Sequence, residues 1–477
     1  MKRLLVLWIC LLATAAPHAS ASTQPSTIEG SWEGTLQVGA TRLRIVFHLE
    51  AVGKGNLTGT MDSPDQGARG IPLSSVGVGS DTLHIEVRVV GGQYAGVLQQ
   101  GDSVIVGVWS QGGLQLPLTL RRGAAQAVAR RPQEPVPPFP YRQEEVSFAS
   151  KDPDVSLAGT LTLPAANGPV PGVILISGSG PQDRDETVFG HRPFLVLADY
   201  LTRRGFAVLR YDDRGVGQST GSRQEATLTD FVADALGARA FLARRPELDP
   251  GRIGFLGHSE GGLVASLATV TLDSVAFVVL LASPGLPGDE LLLSQSEALA
   301  RASGANELSL RRILALNRAV YDAARGGGDS TAIARSVEGI IRSWADSLAP
   351  EERAGMGSID DFIARQRTVI TSPWFRSFLN HDPRVVLREI RCPVLAMIGE
   401  KDLQVPPSAN LPAIRAALTE AGNEHTVVRE LPGLNHLFQT ARTGLPVEYG
   451  SLEETIAPAA LQLLGEWLGT VTTSPVR

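Results

Sequence analysis

One serine in this chain has the sequence surroundings of a catalytic nucleophile. Ser259 lies in "GFLGHSEGG", with the apolar run "RIGFL" before the motif and the helix-forming run "GGLVASLATV" after it. This order predicts a strand that turns sharply into a helix, so that the hydroxyl at the turn is exposed and faces the amino end of the helix. Gly257 and Gly261 flank the serine at the points where such a turn would crowd any Cβ. The pattern therefore predicts nucleophilic catalysis by Ser259.

A second serine, Ser219, also satisfies the pattern Gly-x-Ser-x-Gly, as "GQSTG". Its strand-like run ends at Tyr211, so that seven residues separate the strand from Ser219, and the following "TGSRQEA" does not begin a helix. A nucleophile elbow needs the strand and the helix to adjoin the serine directly. The sequence therefore predicts a turn or capping role for Ser219.

A serine hydroxyl needs a base, which is usually a histidine that follows it along the chain in this type of arrangement. His381, His425 and His436 follow Ser259. His425 begins the strand-like run "HTVVREL", and His381 precedes "DPRVVLREI". His436 lies in "LPGLNHLFQ", between the last predicted strand and the C-terminal helix, and this position favours His436 as the base.

The acid that orients the base should lie in a fixed loop at the carboxyl end of a strand. Asp402 meets this requirement in "VLAMIGEKDLQVPP", where prolines stiffen the segment that follows. Glu400 in the same loop and Asp289 after the preceding strand are the alternative acids.

An oxyanion formed at the ester or amide carbonyl needs two backbone donors. The amide of Glu260, directly after the nucleophile, is one candidate. The loop "ISGSGPQDRD" after the first parallel strand offers the second, with Ser179 preferred and Gly180 as the near alternative. A phosphate-binding reading of this Gly/Ser loop would need a following Gly-Lys-Ser/Thr, which the sequence lacks.

The region before residue 126 has a different pattern of apolar and polar residues from the rest of the chain. In "TRLRIVFHLE" and "DTLHIEVRV" apolar and polar residues alternate, and glycine-rich turns separate such runs. Alternation of period two predicts a small antiparallel β domain over residues 22–125, with one buried face. Five prolines between Pro132 and Pro140 indicate a proline-rich linker over 126–145.

From residue 146 to 477, short continuous apolar runs alternate with helix-forming stretches, as in "VPGVILISGSG" followed by "FLVLADYLTRRG". This pattern predicts an α/β domain with a mostly parallel sheet that helices cover on both faces. Functional loops lie at the carboxyl ends of the strands in such a sheet. Residues 291–378 interrupt the alternation without an apolar strand, which predicts an inserted helical cap.

Several of these segments together resemble the α/β-hydrolase superfamily. "GHSEGG", "GEKDLQVPP" and "GLNHLFQ" look like its serine, acid and histidine segments, and "YDDRGVGQSTG" is similar to a structural turn that many members carry. Within the superfamily, the chain resembles bacterial exported carboxylesterases with an extra N-terminal β domain. The resemblance implies a Ser259–His436–Asp402 triad that hydrolyses small-molecule esters through an acyl-enzyme, without a cofactor or metal. The chain departs from the common pattern in having "SGSG" where many members have a His-Gly pair.

The N-terminus is predicted to be a signal peptide over residues 1–21. Lys2 and Arg3 precede an apolar run from Leu4 to Ala16, and Ala19-Ser20-Ala21 supplies the small residues of a cleavage site. The apolar run is shorter than the roughly 20 residues that a membrane span needs. We therefore expect an exported protein, periplasmic or secreted, without a stable membrane span in the mature chain.

Charge and cysteine content exclude further classes of function. The formal net charge is −6 and basic residues form no runs, which argues against a nucleic-acid partner. Of the two cysteines, Cys10 falls in the predicted signal peptide, so Cys392 has no partner for a disulfide or a cysteine-based metal site. No feature of the sequence indicates an oligomeric state.

Two other functions compete with ester hydrolysis. A serine peptidase of the prolyl-oligopeptidase type would use the same three residues, but that class carries a long N-terminal propeller with repeated blades. The N-terminal region here is about a hundred residues without a clear repeat. The other alternative is a non-catalytic binding protein on a hydrolase scaffold, which would have retained all three catalytic positions without using them.

Overall fold

The computed structural model describes residues 28–38, 41–52, 57–64, 68–79, 82–99, 103–111, 114–123, 130–326, 329–350, 353 and 358–473. The predicted signal peptide lies outside these residues, as do positions 126–129 of the predicted linker. The chain forms two compact units. The first comprises residues up to Arg130 with Glu338–Gln366 and Pro446–Ser451, and the second comprises Arg131–Val337, Arg367–Leu445 and the residues from Leu452 onward.

The first unit contains a nine-stranded antiparallel sheet with the spatial order β4-β3-β2-β1-β9-β8-β7-β6-β5. Its strands are β1 (Gly30–Val38), β2 (Thr41–Ala51), β3 (Leu57–Ser63), β4 (Ala68–Pro72), β5 (Ser75–Val78), β6 (Thr82–Val87), β7 (Gly92–Leu98), β8 (Val104–Gln111) and β9 (Leu114–Arg122). The predicted antiparallel β domain is confirmed. Its apolar face forms a core of its own, in which the side chains of Trp32 and Trp109 are 0% and 1% exposed.

The second unit contains an eight-stranded sheet with the spatial order β10-β11-β13-β12-β14-β15-β16-β17. Its strands are β10 (Arg142–Ala149), β11 (Ser156–Leu163), β12 (Val170–Ile176), β13 (Ala207–Tyr211), β14 (Leu248–His258), β15 (Val278–Leu281), β16 (Val394–Gly399) and β17 (Thr426–Leu431). Strands β12 to β17 are mutually parallel, which confirms the predicted mostly parallel sheet. Strands β10 and β11 are antiparallel additions at one edge, and β10 begins inside the segment predicted as a linker.

The described residues also form a series of helices. They are α1 (Pro193–Thr202), α2 (Leu228–Leu242), α3 (Glu260–Val270), α4 (Gly288–Ala302), α5 (Glu307–Arg325), α6 (Ser330–Asp346), α7 (Ile359–Ile370), α8 (Pro373–Leu379), α9 (Pro383–Leu387), α10 (Pro407–Glu420), α11 (Pro446–Tyr449) and α12 (Pro458–Thr473). Alternate residues of β12 enter opposite cores: Ile174 and Ile176 pack on the side of α2 and α3, and Val173 and Leu175 pack on the side of α1 and α12. The described residues of the predicted cap, within 291–378, are mostly helical, as the sequence predicts. Within the described ranges, every helix is too short or too polar to cross a membrane.

The loop after β13 is fixed by a buried ion pair. The guanidinium of Arg214 donates from Nε and Nη2 to the two carboxylate oxygens of Asp234 on α2, each at 2.8 Å. Both side chains are nearly inaccessible, with 4% and 3% of their surface exposed. A planar guanidinium that meets a carboxylate with two parallel hydrogen bonds restricts both partners to one geometry. The pair therefore holds the "YDDRGVGQSTG" loop against α2.

We expect Arg214→Met to lower the free energy of unfolding by about 3–5 kcal/mol, because it leaves the Asp234 charge buried without a partner. Urea unfolding of the full chain, followed by far-ultraviolet circular dichroism, measures this loss. The matched control is Arg301→Met on α4, where both ion pairs lie on the surface and the unfolding midpoint should not move. Equal effects of the two substitutions would contradict the structural role of the buried pair.

Candidate active site

The turn between β14 and α3 holds Ser259 in a strained conformation. Ser259 has φ 53° and ψ −121°, a region of backbone space that residues with a Cβ rarely occupy. Its amide donates to the carbonyl of Leu281 at 2.8 Å, and its carbonyl accepts from the amide of Gly262 at 3.0 Å. Strain at a residue whose backbone is fixed on both sides is characteristic of a nucleophile elbow. The strand-to-helix turn predicted around Ser259 is thus present.

Two glycines allow this turn to be so tight. A Cβ on Gly257 would lie 2.1 Å from the carbonyl oxygen of Gly261, and a Cβ on Gly261 would lie 2.1 Å from the carbonyl oxygen of Ile176. Both distances are far below van der Waals contact, and the obstructing atoms are backbone atoms that cannot move away. The glycines therefore let α3 start directly against β14 and β12.

Asp402 and His436 form a buried hydrogen-bonded pair. Nδ1 of His436 donates to Oδ2 of Asp402 at 2.7 Å, and the two residues are 5% and 1% exposed. The other carboxylate oxygen, Oδ1, accepts the amides of Gln404 and Val405, each at 2.8 Å. Because the loop after β16 fixes Oδ1 in this way, Oδ2 is aimed at the imidazole, whose Nε2 remains available for proton transfer.

The loop that carries His436 is held by its own buried amides. Oδ1 of Asn435 accepts the amides of Leu437 and Gln439 at 3.0 Å and 2.9 Å, and Nδ2 of Asn435 donates to Oε1 of Gln439 at 2.9 Å. Asn435 and Gln439 are fully buried. The position of His436 therefore depends on a rigid turn and not on a flexible surface loop.

Ser259 and His436, the predicted nucleophile and base, come from adjoining loops. His258, directly before Ser259, has its ring centroid 4.9 Å from that of His436. In the part of the chain that the structure describes, the Ser259 hydroxyl makes no hydrogen bond. Hydrogen bonds between a catalytic nucleophile and its base are often long in structures without substrate and shorten when it binds. The arrangement is compatible with a hydrogen bond that forms between Ser259 and His436 during the reaction.

The loop after β12 passes close to the nucleophile. A Cβ on Gly178 would lie 3.3 Å from the Cβ of Ser259. The amide of Gly178 is already occupied, since it donates to Oε1 of Glu186 at 2.7 Å. Ser179, the predicted second donor, and Gly180, its alternative, follow directly. The amide of Glu260 is the first of α3, where no carbonyl of the helix can accept it.

The alternative acids and bases lie elsewhere. Glu400 accepts the amide of Gly433 at the surface, and Asp289 forms an ion pair with Arg325. His425 is exposed at the start of β17. Burial lowers the pKa of His381. Its backbone carbonyl accepts the amide of Gly288, so His381 lies beside the beginning of α4.

Ser219, the second serine with the glycine pattern, has a structural role. Its Oγ donates to the carbonyl of Asp212 at 2.7 Å and accepts the amide of Ala158 at 2.9 Å. The hydroxyl therefore joins the turn after β13 to strand β11 and is not available for attack.

Sequence comparison places the chain in a family. The model of the serine aminopeptidase family S33 matches residues 192–440, which is more than half of the 477 residues. The chain belongs to this family. The matched range contains Ser259, Asp402 and His436. The predicted α/β-hydrolase fold is confirmed by the family, by the mixed sheet and by the additional N-terminal β sheet.

Individual relatives of this S33 hydrolase include esterases. It is 26% identical to esterase EstD of Thermotoga maritima over 307 residues, covering 64% of the chain and 63% of EstD. It is 29% identical to protein YfhR of Escherichia coli K12 over 172 residues, covering 33% of the chain and 57% of YfhR. The chain thus spans less than two thirds of the length of these curated relatives. Among solved structures, the esterase PF2001 of Pyrococcus furiosus aligns with a TM-score of 0.42 and 17% identity, covering 69% of this chain and 91% of that one.

Beneath the elbow of the S33 hydrolase lies a cluster of buried charges. The carboxylate of Glu260 faces Nη2 of Arg223 at 3.8 Å, and Nη1 of Arg223 donates to Asp213 at 2.8 Å. The carboxylate of Asp213 also accepts hydrogen bonds from Oγ of Ser177 at 2.6 Å and from the amide of Gln182 at 3.1 Å. The cluster thereby connects both loops that carry proposed oxyanion donors. Its members surround a small polar cavity.

Burial dominates the acidity of these carboxyl groups. It raises the pKa of Glu260 to about 7, although the Arg223 charge and a hydrogen bond from Trp374 act in the opposite direction. It likewise raises the pKa of Asp213 to about 6 against the influence of Arg223. The guanidinium of Arg223 therefore faces two carboxyl groups, and burial disfavours the ionised form of both.

The aromatic residues of the predicted cap take part in this packing. Nε1 of Trp374 on α8 donates to Oε1 of Glu260, and the Trp374 ring stacks on Phe378 with centroids 5.9 Å apart. Phe375 and Phe378 are buried. The two phenylalanines therefore serve internal packing.

Sequence reasoning missed four residues that contact the site: Glu186, Asp213, Arg223 and His258. Three of them lie in loops with several charged neighbours, such as "QDRDETVFG", where no spacing distinguishes one acid from the next. The sequence did carry a signal for His258, because it ends the apolar run of a buried strand. A buried histidine needs hydrogen-bond partners from neighbouring loops.

We expect the stability of the protein to fall as the pH rises through the titration of Glu260. Its carboxyl has a pKa of about 7 in the folded chain and an ordinary value of 4.5, so the folded protein binds more protons between these values. The unfolding free energy of wild type relative to Glu260→Gln should therefore drop by about 1–3 kcal/mol between pH 5 and pH 8. Urea unfolding at intervals across this range measures the difference. The exposed Glu297→Gln on α4 is the control, and a constant gap between wild type and Glu260→Gln would refute the prediction.

Proposed function

We propose that this S33 hydrolase cleaves carboxylic esters through an acyl-enzyme intermediate. Ser259 is the nucleophile, His436 the general base and acid, and Asp402 the group that orients the imidazole. The amides of Glu260 and Ser179 bind the oxyanion. No cofactor or metal enters this scheme.

The observation that supports the proposal most strongly is the juxtaposition of a strained serine with an aspartate–histidine pair. Ser259 has a positive φ at the start of α3, and His436 is hydrogen-bonded to Asp402 in the adjoining loops. A protein maintains backbone strain of this kind where function requires it, since each such residue costs roughly 1–3 kcal/mol. A turn that served only to connect a strand and a helix would not need it.

Acylation begins when Nε2 of His436 removes the proton of the Ser259 hydroxyl. Oγ attacks the carbonyl carbon of the ester, and the negative charge develops on the carbonyl oxygen, where the two amides donate to it. His436, now an imidazolium stabilised by the ionised Asp402, donates its proton to the oxygen of the leaving alcohol. The C–O bond breaks and the alcohol departs, leaving the acyl group on Ser259.

Deacylation repeats these steps with water. His436 removes a proton from a water molecule, whose oxygen attacks the acyl carbon, and the second tetrahedral intermediate occupies the same oxyanion hole. The proton then returns from His436 to Oγ of Ser259 as the carboxylic acid leaves. Asp402 holds the imidazole in one orientation through both steps, because its Oδ1 is fixed by two backbone amides.

Peptide hydrolysis is the second candidate function, because the matched family is named for serine aminopeptidases. The similarity to an esterase of Thermotoga maritima favours esters. In the described residues, the N-terminal strands form one continuous antiparallel sheet. A propeller of the prolyl-oligopeptidase type would instead consist of repeated four-stranded blades, so the fold favours the esterase over that class of peptidase.

We expect Ser259→Ala to abolish hydrolysis of p-nitrophenyl acetate and p-nitrophenyl butyrate, with a loss of at least about 10⁴-fold in kcat. Ser219→Ala is the matched control: it should lower thermal stability but retain most of the turnover, because Ser219 only joins two backbone segments. Proline and other aminoacyl p-nitroanilides should remain uncleaved by wild type.

Faster turnover of an anilide than of either ester would assign the chain to the peptidases. Full esterase activity in Ser259→Ala would refute the nucleophile, and absence of activity in wild type on every ester and anilide would support a binding role.

We expect Asp402→Asn to lower kcat by about 10³–10⁴-fold, because the amide favours the wrong tautomer of His436. Glu400→Gln and Asp289→Asn, at the two other acids near strand ends, should change kcat less than about threefold. Steady-state hydrolysis of p-nitrophenyl acetate at pH 8 measures all three variants. A larger loss in either control than in Asp402→Asn would reassign the acid.

A further inference from the structure

The ring of His258 is held between two hydrogen-bond acceptors. Nδ1 lies 2.8 Å from Oε1 of Glu186, and Nε2 lies 3.1 Å from the carbonyl oxygen of His436. A neutral imidazole carries one N–H and one lone pair, so it can satisfy only one of these two contacts. The other contact would set a nitrogen lone pair against an oxygen lone pair. Both contacts are satisfied only when both ring nitrogens carry a proton.

The second proton belongs on the imidazole because of relative basicity. A proton placed on Glu186 instead would face Nδ1 of His258, which is the stronger base by about two pKa units under ordinary conditions. Oε1 of Glu186 also accepts the amide of Gly178, as a carboxylate oxygen does well. Glu186 itself has φ 53°, so the backbone is strained where it presents this carboxylate to the ring.

The charges around His258 agree with an imidazolium. Glu186 approaches from the loop after β12, His436 from the loop after β17, and Asp402 acts at longer range from the loop after β16. The neighbouring strand β15 presents the apolar Leu281. Burial by itself lowers the pKa of His258, but the carboxylate of Glu186 and the His436 carbonyl outweigh it and leave the pKa above the ordinary value.

We propose that His258 is held as an imidazolium by Glu186, and that this buried ion pair positions the three loops of the active site. The inference rests on the proposed ester hydrolysis only for its kinetic consequences. His258 is the residue before the nucleophile, its Nε2–H fixes the backbone of the base His436, and Glu186 fixes Gly178 beside the oxyanion donor Ser179. One ion pair thus joins the elbow, the histidine loop and the oxyanion loop, and His258 and Glu186 act as positioning residues.

The positive charge has a further effect on the base. With ring centroids 4.9 Å apart, an imidazolium at His258 disfavours a second positive charge on His436. Glu186 offsets part of this effect from the far side of His258.

Nuclear magnetic resonance of the full chain labelled with ¹⁵N-histidine tests the protonation state directly. We expect both ring nitrogens of His258 to show protonated shifts and N–H couplings from pH 6 to pH 9. The spectrum of His258→Gln assigns the signal. A lone-pair nitrogen at His258 at pH 7 would overturn the proposal. The same spectrum recorded on Ser259→Ala does not depend on catalysis, so failure of the ion pair and failure of the proposed function are distinguishable.

Kinetics of p-nitrophenyl acetate hydrolysis test the positioning role. We expect His258→Gln to lower kcat by about 10–100-fold with KM changed less than about threefold, because the loops lose their common anchor. The acid limb of the kcat/KM profile should move to higher pH by about 0.5–1 unit, because a positive charge beside His436 is gone and Glu186 remains. In the double variant Glu186→Gln/His258→Gln, which removes both charges, the acid limb should return to within about 0.3 unit of wild type.

The matched control is His425→Gln, at an exposed histidine on the same sheet, which should leave kcat and the pH profile unchanged. An acid limb that stays at the wild-type pH in His258→Gln would reduce His258 to a packing residue and refute the electrostatic part of the proposal. If His258→Gln does not fold, the spectrum of the wild-type chain decides the question by itself.

Discussion

The close approach of α3 to the strands beneath it is the constraint on which the site depends. Gly257 and Gly261 permit backbone contacts that no other residue could make, and the turn between them forces a positive φ on Ser259. The same approach sets the first amide of the helix beside the serine and drives the side chain of Glu260 into the interior. The strained serine, the first amide of α3 beside it and a buried carboxyl thus follow from one steric fact.

Much of this arrangement could be predicted from the sequence because its signals are local. A buried parallel strand is a continuous apolar run, and the polar residue just after it lies at the functional edge of the sheet. Asp402 follows such a run, β16, in the next loop, and His436 lies in the loop between the last strand and the C-terminal helix. The structure joins the two side chains by a hydrogen bond. The strand-to-helix turn at Ser259 was equally visible, since the glycines and the flanking runs are contiguous.

The interactions that sequence could not supply are those between distant segments. Glu186 and His258 are 72 residues apart and Trp374 and Glu260 are 114 apart, and no spacing rule links them. Strand β10 was missed for another reason. Polar residues occupy most of β10, because it is an edge strand with one neighbour, so the apolar run that marks a buried strand is absent.

The two outer strands of the eight-stranded sheet carry charges, and this has a consequence for the behaviour of the chain in concentrated solution. Strand β10 presents Arg142, Glu144 and Glu145, and β17 presents Arg429 and Glu430. An open strand offers unpaired amides and carbonyls to any other extended chain, which is a common route to fibrous aggregates. Pairing of a strand from another molecule with β10 or β17 would desolvate these charged side chains. The charges on the two edge strands therefore disfavour edge-to-edge association between molecules.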